Sequence, residues 1–257
     1  MLRAFVNSFK VPDLRNKILF TLAIIAVYRL GSHVPVPVVD IGILQTQLEA
    51  QGQTGFLSFI DLFSGGALTR MAVFGLGIMP YITASIIMQL LTVVIPKLEQ
   101  WQKLGEQGTK KINQWTRYVT VVLALLQSTG IVFLFHNASA TSGLGVDIFN
   151  TGDFTAANIA LIVLVMTAGT AMIMWMGELI TQRGIGNGMS ILIFASVISR
   201  LPQEGKAILV SGGDAKFVTI LVIGLAIIVA VIFIEQGQRR IPVQYAKKMT
   251  SMPYTVM

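Results

Sequence analysis

The sequence predicts an all-α integral membrane protein: six transmembrane helices plus one short apolar half-helix. Three observations carry this expectation. Of 257 residues, 54% are hydrophobic and only 12% charged, whereas a soluble domain carries about 25% charged residues. The mean hydropathy is +0.72. The apolar residues gather into stretches close to the roughly 20 residues that a spanning helix needs.

The first stretch runs from Ile18 to about Val34. A basic N-terminus (MLRAFVNSFKVPDLRNK) leads into it as in a signal peptide, but "YRLGSHVPVPVV" follows without a small-x-small cleavage pattern, so it reads as a retained span. The second, Ala72 to Ile95, is expected as one helix of roughly 36 Å. The third is Tyr118 to Phe135 and the fourth Ala157 to Met176. The fifth, Met189 to Leu201, is short, so it must tilt, borrow from its glycine-rich flank or be sheltered by protein. The sixth is Phe217 to Ile234.

Orientation follows from the positive charges. Alternate loops hold Arg3, Lys10, Arg15 and Lys17, then the run from Lys97 to Arg117, then Arg183, then Arg239, Arg240, Lys247 and Lys248. The opposite side holds Arg70, Arg200, Lys206 and Lys216. This bias places both termini in the cytoplasm. The loop from His136 to Asn158 has no lysine or arginine, as suits the exterior. The domain plan is then a cytoplasmic N-terminus (1–17), five helices (18–201), an external loop with the sixth span (202–234), and the start of a cytoplasmic loop (235–257). There is no cysteine, hence no disulfide framework.

Charge inside the spans is nearly absent. Arg29 lies near the outer end of the first helix, where it can snorkel, and Glu178 at the inner end of the fourth. The remaining polar groups, among them Thr83, Gln89, Gln127, Ser128, Thr167 and Thr170, are of the kind that bond their own backbone or a neighbouring helix. A coupled carrier would place a carboxylate at mid-depth, and none stands there; a small-solute secondary transporter or uniporter is the alternative function. No HExxH pair and no serine–histidine–acid set suggests catalysis, and no metal or other cofactor is implied.

The stretch "FLSFIDLFSGGALTR" interrupts the pattern. It is a greasy segment too short to span, with Asp61 inside it, a Gly65-Gly66 hinge and Arg70. On pattern alone it is either an interfacial helix on the outer leaflet or an element folded back into a cavity, since irregular backbone at membrane depth survives only against protein or water. Further on, Ile78, Ile82 and Ile86 recur along one helical stripe.

"LFSGGAL", "GIMPYITASIIMQLLTVVIP", "WMGELITQRGIGNGMSILIF" and "EQGQRRIPVQYAKK" resemble long blocks of the bacterial SecY protein-conducting channel family, in the same order, up to about Lys248. The resemblance implies the first pseudo-symmetric half of a SecY-type channel plus one further helix, that is, the first six of ten spans. It implies a plug at 57–68, with Phe59, Ile60, Asp61, Leu62, Phe63, Ser64, Gly65 and Gly66 at its heart. It places a pore ring at Ile78, Ile82, Met189 and Ile193, with methionine where the family usually has isoleucine. Thr83, Gln89 and Gln127 become lateral-gate residues, and Arg239, Arg240, Lys247 and Lys248 a docking site for cytoplasmic partners. The implied function is secretion and membrane insertion of unfolded polypeptides in the bacterial cytoplasmic membrane. The implied partners are SecE, SecG, the SecA motor ATPase, the ribosome, precursor chains and membrane lipid. After Lys248 the text "MTSMPYTVM" departs from the family, so a truncated reading frame or fragment is expected, unable to seal or conduct as a single chain.

Overall fold

The computed structural model describes residues 11–39, 42, 61–141 and 155–237, without the side chains of 137–141 and 211. Two compact units divide after Pro202. The described elements are helical: α1 (Pro12–Gly31), α2 (Met79–Val94), α3 (Pro96–Lys103), α4 (Glu106–Thr141), α5 (Ala156–Arg183) and α6 (Gly188–Glu235).

In the first unit, each boundary has a local cause. Proline opens α1, α2 and α3 within their first two positions, where its missing N–H costs nothing. Pro96 also forces Ile95 into extended backbone (φ −97, ψ 113). As a result α2 and α3 meet at a 99° bend. At the next corner Lys97 and Lys111 lie 6.0 and 5.7 Å from the centre of the Trp101 ring, holding α3 against the start of α4. Asn187 accepts the Met189 amide at 3.1 Å and Thr181 the Gly188 amide at 2.9 Å, which caps the start of α6. The turn at 184–188 is thus a connection built on its own side chains.

The second apolar stretch corrects the sequence reading. A helix from Ala72 to Ile95 was expected, but Ala72 is bridged to Pro35 as isolated antiparallel backbone, residues 73–78 are turns, and α2 begins only at Met79. Gly77 has φ +58 and Met71 φ +40, which a helix cannot accommodate. The chain instead pairs with the segment after α1. Val73 donates to the Val34 carbonyl and Val36 to the Met71 carbonyl, both at 2.9 Å.

Helices α4 and α5 pack together, α2 and α3 lie against α4, and α1 lies against α5. Two buried clusters result. One joins Val36, Leu68, Met71 and Leu76 to Ala124, Val132, Phe135, Ile162 and Met166. The other joins Tyr28, Phe74 and Ile78 to Ile173, Met176, Ile180, Met189 and Leu192. Arg117 clasps Glu178 through two bonds, Nε–Oε1 at 2.7 Å and Nη2–Oε2 at 2.6 Å, linking α4 to α5.

In the second unit, residues 203–212 are helical, where a loop had been expected, and Gly213 breaks the helix at φ +71. Among the described residues, none of the apolar window in the stretch Gly212–Glu235 is buried. Among the described residues three helices are long and apolar enough to cross a membrane, within α4, α5 and α6, and a fourth span results if the bent pair α2–α3 counts as one.

Candidate functional site

The four residues expected to form a ring meet in one place. Ile78 and Met189 are buried members of the second cluster, and Ile82 and Ile193 pack against it. Ile78 stands at the cap of α2 and Ile82 one turn on, while Met189 and Ile193 occupy the corresponding turns of α6, so two helix starts bring one apolar stripe each to a common centre. The Met189 side chain lies flat on α5 where Gly177 leaves room for it. On one side of this centre a cavity of about 520 Å³ opens. Ile82, Met189 and Ile193 line it together with Gln89, Asn113 and Asn187, and every polar group in its wall is uncharged. Such a wall presents neutral hydrogen-bonding groups and no fixed charge.

On the other side lies the end of the short greasy segment. Its residues 61–64 are helical, and Gly65 and Gly66 follow at φ +67 and +87, conformations in which other residues are strained. The segment sits against Gly77: a Cβ there would lie 3.3 Å from the Ser64 Cα. Since Gly77 directly precedes Ile78, the segment abuts the apolar centre. Leu62 and Phe63 are half-buried; Asp61, Ser64, Gly65 and Gly66 are buried. Phe59, Ile60 and the rest of 57–60 lie outside the described residues, as do Arg239, Arg240, Lys247 and Lys248.

Sequence reasoning missed what holds this segment. Asp61 forms an ion pair with Arg200, a residue read above only as one of the sparse charges opposite the basic loops. Arg29, read as a snorkelling anchor, donates to the Gly65 carbonyl at 3.4 Å. One signal was present: a single carboxylate in an apolar half-helix cannot be buried without a partner. Nearby, Tyr28 and Ser196 share a buried hydrogen bond of 2.6 Å that ties α1 to α6.

Of the lateral-gate candidates, Thr83 and Gln89 stand on α2 and Gln127 on α4. Thr83 bonds its own Met79 carbonyl at 3.0 Å, Gln89 lines the cavity, and Gln127 is half-buried on α4. Of the other polar groups, Thr167 and Thr170 donate to the backbone of their own helix, and Ser128 also reaches Thr167 across α4 and α5 at 3.4 Å.

The SecY family model matches residues 72–257. This chain belongs to the SecY family. Protein translocase subunit SecY of Mycobacterium tuberculosis is 52% identical over 252 residues, which are 97% of this chain and 57% of that protein. The Streptomyces coelicolor subunit of the same name is 52% identical over 254 residues, 97% of this chain and 58% of that one. The chain therefore spans a little over half the length of these SecY relatives. Sec61 in the canine ribosome-channel complex from the endoplasmic reticulum superposes with a TM-score of 0.59 over 89% of this chain and 49% of that one. At 16% identity, that likeness is one of fold.

Proposed function

We propose that this SecY-family chain supplies one wall of a channel that passes unfolded polypeptides across, and into, the bacterial cytoplasmic membrane. Its activity is conduction rather than catalysis. Ile78, Ile82, Met189 and Ile193 form this wall's share of an apolar constriction, which closes by excluding water and imposes no chemical demand on the passing chain. Residues 57–68 stop the constriction from the side opposite the basic loops, and the uncharged cavity receives the polypeptide on the basic side. Thr83, Gln89 and Gln127 contribute to a lateral exit toward lipid. The N-terminus and the loop with Arg239, Arg240, Lys247 and Lys248 face the cytoplasm, where that loop meets the ribosome or SecA; SecE and SecG complete the assembly. A ribosome as partner draws support from the canine Sec61 complex.

The observation that carries this reading is the seat of Ser64 against Gly77, one residue before Ile78. It puts a segment too short to span against the apolar centre instead of leaving it on a membrane surface. The test is a cysteine at Ile82 in the full membrane assembly, exposed to a secretory precursor arrested in transit. A crosslink to the precursor is expected; labelling by small solutes without any crosslink would refute the reading.

A further inference from the structure

Asp61 is fully buried, at 0% exposure, and its carboxylate collects four donors. Oδ1 accepts from the Ser64 hydroxyl and the Thr69 amide, each at 3.1 Å. Oδ2 accepts from the Thr69 hydroxyl at 3.1 Å and from Nη2 of Arg200. Two of these partners lie outside any part that could swing about Gly65-Gly66. Thr69 stands beyond the glycine pair, close to the stretch fixed by the Val36–Met71 and Val73–Val34 hydrogen bonds. Arg200 lies 139 residues away in sequence, on α6. Arg200 is itself 19% exposed in its side chain, and a Cβ on Gly66 would lie 3.3 Å from its Nη1. The guanidinium therefore covers the hinge as well as the carboxylate.

We propose that Asp61 and Arg200 form a latch that sets how readily the short segment from Asp61 to the glycine pair leaves its seat, with Arg200 as a positioning residue. This rests on the reading of that segment as a stopper. An ion pair suits a latch because its attraction when buried is largely offset by the water both charges recover when they separate. Such a pair fixes one seat without making release prohibitive. Apolar contacts alone would hold the segment with less definition of register.

The two single substitutions are consequently unequal. Arg200→Gln leaves a buried carboxylate with three hydrogen bonds but no countercharge in the closed state, which favours release. Asp61→Asn leaves a guanidinium already partly in water, which favours release less. Combining both removes the uncompensated charge and restores most of the closed state.

The chain has no native cysteine, so Ser64→Cys, at a buried serine just before the glycine pair and introduced alike in the parent and every variant, reports release through an impermeant thiol reagent added from the outer side to the full membrane assembly. Ala124→Cys, at a fully buried alanine of α4, reports general loosening. With the latch intact, Ser64→Cys is protected at rest and reacts when a precursor is arrested in the channel. Arg200→Gln raises the resting rate about tenfold or more, an effect of a single unpaired charge. Asp61→Asn raises it less, and Arg200→Gln with Asp61→Asn returns it to within about threefold of the parent. The latch is overturned if Arg200→Gln changes the resting rate by less than about twofold, if Ala124→Cys rises in step with Ser64→Cys, or if the double variant reacts as fast as Arg200→Gln. A different failure, protection of Ser64→Cys that persists with a precursor arrested in the channel, would sink the stopper itself.

Discussion

Gly169 of α5 has no side chain because the Val73 carbonyl oxygen occupies the place where its Cβ would be. The irregular turn 72–78 thus lies directly on α5, and backbone, which cannot rotate aside, fills the gap. Gly169→Ala is expected to destabilise the first unit by about 1–3 kcal/mol through overpacking. Gly130→Ala on α4, where a Cβ would meet nothing within 4 Å, should stabilise by about 0.5–1 kcal/mol from helix propensity. Thermal unfolding in detergent measures both; a loss at Gly130 equal to that at Gly169 would contradict the packing.

The Arg117–Glu178 clasp joins α4 to α5 with good geometry, but Arg117 is 46% exposed in its side chain. Solvent screening therefore limits its worth to about 0.5–1 kcal/mol. A double-mutant cycle of Arg117→Ala and Glu178→Ala should return a coupling of that size, shrinking as salt is raised. A coupling that salt leaves unchanged would mean the contact is apolar packing of the arginine stem.

The residues proposed to line the constriction should differ in what they contribute to stability. Ile78 is buried at the junction of α1, α2 and α5, so Ile78→Ala should cost about 2–5 kcal/mol. Met189→Ile keeps most of the volume and should cost less than about 1.5 kcal/mol. Unfolding midpoints of the two variants decide it, and near-equal losses would show that Ile78 packs less tightly than its burial indicates.

Continuous apolar length located the long helices: α4 and α5 contain the third and fourth apolar stretches whole. It failed at 72–78, where the residues are as apolar as a helix but Gly75 and Gly77 admit turns, and where Val34 and Val36 supply hydrogen bonds that local sequence does not reveal. That Ile78, Ile82, Met189 and Ile193 come to one apolar cluster was legible through family resemblance, since long blocks carry register that composition lacks. The pairing of Asp61 with Arg200 was not, because a contact between residues so far apart depends on where α6 comes to lie. The helical course of 203–212 was missed for another reason: polar residues such as Gln203, Glu204 and Lys206 read as loop but are good helix formers.

The seat of the short segment can be locked. A Cβ built on Gly77 would lie 3.5 Å from the Ser64 Cβ, within the roughly 3.5–4.5 Å that a disulfide spans. Ser64→Cys with Gly77→Cys should therefore oxidise readily, with no native cysteine to compete. The positive φ of Gly77 adds roughly 1–2 kcal/mol of strain for any other residue, a cost small enough for the bond to form. If the segment must leave its seat for a polypeptide to pass, the oxidised pair blocks precursor transit and a reductant restores it. Undiminished transit through the oxidised form, with the bond verified by gel mobility, would mean that the polypeptide takes a path on which this segment never stands.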